Sequence, residues 1–265
     1  MTILDEIVAF KKTEVKDRRI KVPFSKLEQS LYFKRTVCSL IHSFSAPGKN
    51  SIIAEFKKRS PTKGIINDLA DAGTITKGYA DGGASGLSVL TDNKFFGGTA
   101  DDLIAAREVT TIPTIPVLRK DFTIDEYQVI ESKALGADVI LLIAACLSAQ
   151  AAKNLARLAK SVDLQVIMEI HHLAELGKAN EYIDIIGVNN RDLTTFIVNI
   201  ETSVKLAEKI PADFLKISES GINDVKVIKR LREFGYDGFL IGEHFMKEKN
   251  PVKAFLEFAG EIPEI

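Results

Sequence analysis

The sequence has 265 residues, 46% of them hydrophobic and 27% charged, a composition that can bury a sizeable core. Its 35 Lys and Arg against 36 Asp and Glu give a formal net charge of −1, which argues against broad electrostatic binding to nucleic acid or to an anionic membrane. The longest apolar run, Val139 to Leu147, is far shorter than the roughly 20 residues that a transmembrane helix needs.

The N-terminus and the cysteines favour a cytoplasmic protein. Asp5 and Glu6 stand where a signal peptide would need an uninterrupted apolar stretch. Cys38 and Cys146 are far apart in sequence and belong to no Cys/His cluster, so we expect neither a disulfide nor a structural zinc site.

Residues 1–49 form an extension that lacks the regular pattern of the rest of the chain. Charged amphipathic residues 3–18 predict one helix, and residues 32–41 predict a second. Acids are interleaved with Lys11 and Lys12, which favours a solvated helix face. The extension either caps the floor of the domain or packs over the mouth and shields a substrate.

From about residue 50 to residue 265, apolar runs of strand length alternate with stretches of helical period. The strand candidates are 51–56, 86–90, 115–118, 138–143, 165–169, 184–188, 214–218 and 238–241. The helix candidates between them include 100–109, 124–135, 149–161, 200–209 and 224–234. Eight parallel βα units close into a barrel, whereas an open doubly wound sheet, the alternative, usually has fewer strands. We therefore predict one α/β domain, a TIM (β/α)8 barrel with an N-terminal helical extension.

In such a barrel the catalytic groups stand at the carboxyl ends of the strands. Those ends carry Glu55, Lys57, Lys120, Glu169, Asn189, Arg191 and Glu219. Side chains alternate along a strand, so that Glu55 and Lys57 point the same way. A single charge at a strand end is usually just solvated, but several acids and lysines that converge there indicate a site with perturbed pKa values.

Glycines after the seventh and eighth strands predict a phosphate site. Ser220 and Gly221 let backbone N–H groups approach an anion, and Gly242 opens onto a short candidate helix, residues 243–247. A Cβ at either glycine should push the backbone and the anion apart. We expect Glu243 to turn its N–H toward the phosphate and its carboxylate away. Alternative donors elsewhere in the mouth are Lys57, Ser60 and Arg191.

Four segments resemble the motifs of the indole-3-glycerol phosphate synthase family. They are Glu55-Phe-Lys-Lys-Arg-Ser-Pro61, Leu118-Arg-Lys-Asp-Phe122, Gly187-Val-Asn-Asn-Arg-Asp-Leu193 and Ser218-Glu-Ser-Gly-Ile222. Their order and spacing fit the family, with minor departures at Phe56, Lys58 and His244. The resemblance implies a carboxy-lyase of tryptophan biosynthesis that needs no metal or organic cofactor. Such an enzyme converts 1-(2-carboxyphenylamino)-1-deoxy-D-ribulose 5-phosphate to indole-3-glycerol phosphate, carbon dioxide and water.

The same resemblance implies roles for individual residues. Lys120 matches the general acid that protonates or polarises the substrate ketone, and Glu169 matches the base. Lys57 would hold the substrate carboxylate or share the acid role. Glu55 and Glu219 would orient these groups, with polar contacts from Asn189 and Arg191. The benzoate ring would lie against Phe122, Leu141 and Ile143, of which the last two also suit a plain barrel core.

Two other functions are possible for this pattern. Phosphoribosylanthranilate isomerase shares the barrel and the phosphate site but needs a cysteine at the end of the first strand, where Glu55 and Lys57 stand here. A catalytically silent phosphosugar-binding barrel would keep the glycines without needing Lys120 and Glu169 together. His171 and His172 are adjacent and point apart, so we predict no metal site there. The expected partner is a small-molecule substrate, with no nucleic acid or membrane, and the protein is either a monomer or a homodimer.

Overall fold

Eight parallel strands form a closed barrel in the computed structural model, which describes residues 2–110 and 114–262. The strands are β1 (Ile52–Phe56), β2 (Gly86–Leu90), β3 (Val117–Lys120), β4 (Val139–Ile143), β5 (Gln165–Ile170), β6 (Ile185–Asn189), β7 (Leu215–Glu219) and β8 (Gly238–Ile241). Each strand pairs with the next one along the chain, and β1 pairs with β8, where Ile52 lies opposite Phe239. The predicted (β/α)8 barrel is therefore confirmed, and the open sheet is wrong.

The strands are buried on both faces, which is why they appear in the sequence as continuous apolar runs. Their observed limits agree with the predicted ones to within two residues. The largest shift is in β3, because Pro116 has no N–H to donate to a ladder; its carbonyl accepts from the Leu87 N–H at 2.9 Å. As a result, Lys120 is the last residue of its strand rather than part of a loop.

Helices surround the barrel and make up most of the extension. They are α1 (Ile3–Lys21), α2 (Phe24–Leu27), α3 (Leu40–Phe44), α4 (Ala72–Asp81), α5 (Asn93–Phe96), α6 (Ala100–Val109), α7 (Glu126–Ala134), α8 (Ala149–Ser161), α9 (Leu173–Leu176), α10 (Glu201–Ala207), α11 (Val225–Glu233), α12 (Glu243–Met246) and α13 (Pro251–Gly260). A small hairpin, Arg59–Ser60 with Gly64–Ile65, follows β1. Among the described residues, no helix has both the length and the apolar character needed to cross a membrane.

The predicted barrel helices are present, and their ends follow from capping. The predicted helix 224–234 includes Asp224, but the Asp224 side chain accepts from the Lys226 N–H and caps α11. The helix predicted over residues 32–41 is wrong, since α3 contains only the last two of those residues. The preceding segment is held by tertiary bonds instead: a carboxylate oxygen of Asp138 accepts from Arg35 at 2.6 Å and from the Cys38 N–H at 2.7 Å.

The extension covers both ends of the barrel. Leu40 and Phe44 of α3 belong to the same buried cluster as Ile53, Val139 and other interior residues of the strands, and they close the floor. Helix α1 lies at the opposite end, where its first two turns border the central cavity described below. Different helices of the extension therefore lie at the floor and at the mouth of the barrel, and shielding of a substrate by α1 stays a prediction.

One lysine of α1 differs from its prediction. Lys11 is completely buried, and its Nζ lies 2.6 Å from Glu14, 2.8 Å from Asp92 and 2.9 Å from Asp121. Burial alone would lower the pKa of Lys11, but the three carboxylates outweigh this effect and raise it. The prediction of a solvated face is thus wrong at Lys11, which ties α1 to the loops after β2 and β3.

Candidate active site

A cavity of about 150 Å³ opens at the carboxyl ends of the strands. All six predicted catalytic residues line it: Glu55, Lys57, Lys120, Glu169, Asn189 and Glu219. We call the five charged members, Glu55, Lys57, Lys120, Glu169 and Glu219, the mouth cluster. Ile3, Leu4 and Ile7 of α1 also line the cavity, so the extension contributes part of its wall.

Lys120 is the centre of the mouth cluster. Its Nζ lies 2.7 Å from Glu169 Oε2 and 3.3 Å from Glu219 Oε2. Burial alone would lower the pKa of Lys120, but the charges of Glu169, Glu219 and Glu55 outweigh burial and raise it. Lys120 is therefore a cation and has a proton that it can donate.

Glu169 is held through both of its carboxylate oxygens. Oε2 contacts Lys120, and Oε1 accepts a hydrogen bond of 3.1 Å from the Asn189 amide. Burial favours the protonated acid, but Lys120 and His171 outweigh burial and hold the pKa of Glu169 below its ordinary value. The carboxylate is therefore ionised at neutral pH and can accept a proton.

Glu219 behaves in the opposite way. Burial raises the pKa of Glu219 to about 7; Lys120 opposes this shift, and the charges of Glu169 and Glu55 add to it. Its Oε1 is buried and has no hydrogen-bond partner among the described residues. Glu219 can therefore gain or lose a proton near neutrality, a property expected of an active-site acid.

The second lysine of the cluster lies just past the end of β1. Lys57 Nζ is 2.8 Å from Glu55 Oε1, and the other oxygen of Glu55 accepts from the Ser88 hydroxyl at 3.3 Å. The predicted common orientation of Glu55 and Lys57 is consistent with this contact. Lys57 also borders the neighbouring cavity described below, as Glu55 does.

One wall of the first cavity is apolar and suits a flat ring. Phe122, Leu141 and Ile143 line it as predicted, and the Phe122 ring lies 5.9 Å from that of Phe96. Sequence reasoning missed Leu90 and Phe96, which also line this cavity. The carboxyl end of β2 was a signal for them, because Leu90 is its last residue and Phe96 lies in the helix that follows.

A second cavity of about 460 Å³ adjoins the first. Its lining includes the predicted Arg191, Ser220, Gly221, Gly242 and Glu243, together with the unpredicted Lys63, His244 and Lys247. Ser60 borders only the first cavity. The second cavity thus combines backbone N–H groups after β7 and β8 with several cations, a composition that suits a phosphate.

The two glycines of the second cavity have different constraints. Gly221 has φ +77°, the left-handed region that favours glycine. A Cβ on Gly242 would lie 2.6 Å from Glu55 Oε1, so this glycine makes room for the mouth cluster, contrary to the anion-clearing reason expected from sequence. The carboxylate of Glu243 does not turn away as expected but lies 3.4 Å from Arg191 Nη2.

The two adjacent histidines point apart, as their spacing predicts. His172 is largely exposed, whereas His171 is buried beside Glu169 and was missed as a neighbour of the site. Strand alternation was the available signal, since positions 169 and 171 share a face. Among the described residues, no group of three or more His, Cys, Asp or Glu could hold a metal ion.

The family model and the curated relatives that match this chain carry the same family name. Residues 4–258 match the family model described as indole-3-glycerol phosphate synthase. Proteins of that name from Bacteroides thetaiotaomicron and Polaromonas naphthalenivorans are 44% and 42% identical over 260 and 263 residues, covering 98% of this chain and 98% and 99% of theirs.

Solved structures that resemble this one show the fold alone. A 3-hexulose-6-phosphate synthase from Salmonella typhimurium matches with a TM-score of 0.61 and 16% identity, covering 79% of this chain and 97% of its own. A tryptophan synthase alpha subunit from Legionella pneumophila has a TM-score of 0.61 and 15% identity, covering 84% of this chain and 96% of its own.

Proposed function

The chain belongs to the indole-3-glycerol phosphate synthase family, and we propose that its Lys120–Glu169 pair supplies the acid and the base of the reaction. The enzyme is a carboxy-lyase of tryptophan biosynthesis. It converts 1-(2-carboxyphenylamino)-1-deoxy-D-ribulose 5-phosphate to indole-3-glycerol phosphate, with loss of carbon dioxide and water. The observation that carries the proposal is the position of Lys120 Nζ between Glu169 and Glu219 in a buried cavity with one apolar wall.

The two cavities correspond to the two ends of the substrate. The benzoate ring lies against Phe122, Leu141 and Ile143, and the phosphate lies in the second cavity near Gly221. The ketone carbon then falls between them, beside the mouth cluster. Lys57 borders both cavities, which is the position expected of a cation that meets the substrate carboxylate.

Ring closure forms a bond between the aromatic carbon that carries the carboxylate and the ketone carbon. The electron pair of the carbonyl moves to its oxygen, and Lys120 donates a proton there. Loss of carbon dioxide breaks the carbon–carboxylate bond and returns its electrons to the ring. The new hydroxyl then leaves as water, which consumes one proton, and removal of a proton by Glu169 completes the indole.

Glu219 supports the dehydration step. A carboxyl group with a pKa of about 7 carries a proton in a large fraction of molecules at neutral pH. It is 3.3 Å from Lys120 Nζ and can restore the proton that Lys120 has given away. Asn189 holds Glu169 in place through its amide.

The wider organisation is also part of the proposal. The extension (1–49) and the barrel (about 50–265) form one domain, supported by the three ion pairs of Lys11 and by the α3 residues within the floor. We place the protein in the cytoplasm, as a monomer or a homodimer, without a nucleic-acid partner. Light scattering after size-exclusion chromatography tests the oligomeric state.

A direct assay tests the assigned chemistry. The sequence contains no Trp, so indole fluorescence of the product rises above a low protein background. The parent should form indole-3-glycerol phosphate, and Glu169→Gln should complete ring closure better than dehydration, so that an intermediate accumulates in quenched single turnovers. A Glu169→Gln variant as fast as the parent would move the base to another carboxylate, with Glu55 first.

A further inference from the structure

His171 is a buried titratable group that the mechanism above does not use. It follows β5, two positions after Glu169, and alternation places both side chains on one face. Its ring borders a groove of about 510 Å³ next to the active-site cavity rather than the cavity itself. It therefore stands behind Glu169, away from the substrate.

The imidazole lies between two carboxylates. Nε2 is 3.4 Å from Glu169 Oε1, and Nδ1 is 3.6 Å from Glu175 Oε2. Neither ring nitrogen has a hydrogen-bond partner among the described residues, so both contacts lie within ion-pair distance and become ion pairs when the ring is protonated. Glu175 is fixed in turn, because its Oε2 accepts from the His171 N–H at 2.6 Å and caps α9.

The geometry points to His171 as a positioning residue. Glu175 holds the His171 ring, and the ring orients the Glu169 carboxylate and keeps it ionised from the side opposite the substrate. Only the imidazolium form has two N–H groups, one for each carboxylate. Glu169 Oε1 is then held by His171 and Asn189, while Oε2 contacts Lys120. These partners hold the Glu169 carboxylate in place and leave it able to face the substrate. This role deepens the proposed function and rests on Glu169 being the base.

The charges around the ring favour the doubly protonated form. Burial alone would lower the pKa of His171, but Glu169 and Glu175 outweigh burial and raise it to about 9. The His172 ring is the next titratable neighbour, with its centroid 6.5 Å away. Cys146, in the turn after β4, lies in the field of the same two carboxylates and of Lys178. Burial and the carboxylates raise the pKa of its thiol to about 12, so the thiol is neutral.

His171→Asn is the first test, with His172→Asn as its matched control at the adjacent exposed position. Misplacing a catalytic group by a fraction of an ångström to 1 Å costs up to about 100-fold, so we expect a 10- to 100-fold loss of kcat. KM should change little, because no substrate contact is removed. The parent should lose activity as pH rises through about 9, and His171→Asn should lack this limb. His172→Asn should match the parent in all respects.

Glu175→Gln is the second variant, and it keeps the cap because the amide oxygen still accepts the backbone N–H groups. Loss of its charge should lower the pKa of His171 by roughly one unit or more. The alkaline limb of kcat should move down by the same amount. A purely structural role for Glu175 would leave the limb in place.

NMR titration of the four histidine Cε1–H signals measures the pKa of His171 without any substrate. We expect the signal that disappears in His171→Asn to titrate near pH 9 and to move down in Glu169→Gln. Titration near the ordinary value of about 6.5, or full kcat in His171→Asn, would overturn the proposal. If instead the parent forms no product while His171 still titrates near pH 9, the proposed function fails and the ion-paired arrangement stands.

Discussion

Two buried ion clusters lie on opposite sides of β3, and consecutive residues at the end of this strand belong to different clusters. Lys120 belongs to the mouth cluster, whereas Arg119 and Asp121 belong to what we call the helix cluster, with Lys11, Glu14, Asp92 and Glu131. Alternation along the strand produces the separation. All five members of the mouth cluster line the open cavity, whereas Asp121 is the one member of the helix cluster that does, and the others are packed between α1 and the barrel.

The same residue types have opposite properties in the two clusters. In the helix cluster, burial would raise the pKa of Asp121, but Lys11 and Arg119 outweigh burial and hold it far below its ordinary value. In the mouth cluster, burial wins at Glu219 and the pKa rises to about 7. Asp121 thus has two cations against it, while Glu219 shares Lys120 with Glu169. All of these cations are shared with other carboxylates, so the difference lies in their number: the carboxyl group that contacts one cation stays titratable, and the one that contacts two becomes a fixed charge.

The largest expected effect is on stability, from Lys11→Met. The variant removes a buried ammonium and leaves Asp92 and Asp121 without it, and breaking a buried pair in this way costs about 3–5 kcal/mol. Urea unfolding measures the loss. Lys12→Met, at the exposed neighbouring position, should change the free energy of unfolding by less than about 0.5 kcal/mol. If the two variants lowered the free energy of unfolding equally, the ion pairs of Lys11 would not be what stabilises the packing of α1.

The next largest expected effect is a loss of activity, from Lys120→Met in the mouth cluster. The variant keeps an apolar stem of similar length and removes the acid, so kcat should fall about 100-fold or more. Inhibition by inorganic phosphate should be retained, because the second cavity is untouched. Steady-state assays with phosphate as competitor measure both quantities. An undiminished kcat would transfer the acid role to Lys57.

The barrel was predictable from the sequence because buried parallel strands have a distinctive composition. The convergence of Glu55, Lys120 and Glu169 followed from their places at strand ends, although their roles came from the family motifs. Burial of Lys11 was not predictable, since Asp92 and Asp121 are distant in sequence and α1 alone has an ordinary charged face. The failed helix at 32–41 has a similar cause, because bonds to Asp138 override local propensity.

A smaller effect should separate the two glycines of the second cavity. Gly221→Ala should raise KM at least about tenfold with kcat largely intact, because loss of one charged hydrogen bond costs roughly 1.5–3 kcal/mol, or about 10- to 150-fold. Gly242→Ala should lower kcat as well, since its Cβ meets Glu55. Gly48→Ala controls for the positive φ alone, because its φ is +72° and no atom lies near its Cβ, whereas a Cβ on Gly221 would also lie 2.5 Å from Val198 Cγ1. A Gly221→Ala enzyme with the KM of the Gly48→Ala control would place the phosphate elsewhere.

The smallest expected effect is on the pH dependence of the free energy of unfolding. It is also the sharpest test of the comparison, because Glu219 and Asp121 should contribute with opposite signs. Glu219 has a folded pKa of about 7, above its unfolded value, so the folded protein binds more protons between about pH 4.5 and 7. Its contribution therefore weakens the fold as pH rises through that window. Asp121 has a depressed pKa, so its contribution is present above the unfolded value, near 4, and is lost as pH falls.

Glu219→Gln should accordingly gain stability relative to the parent between pH 5 and 7, by at most about 1.4 kcal/mol per pH unit. Asp121→Asn should be less stable than the parent at pH 7, and this deficit should shrink only below about pH 4. Urea unfolding of the three proteins across pH 3–8 gives both slopes. Equal slopes for the two variants would mean that Glu219 is as firmly ionised as Asp121, and the proton that Glu219 supplies to Lys120 would then have to come from solvent.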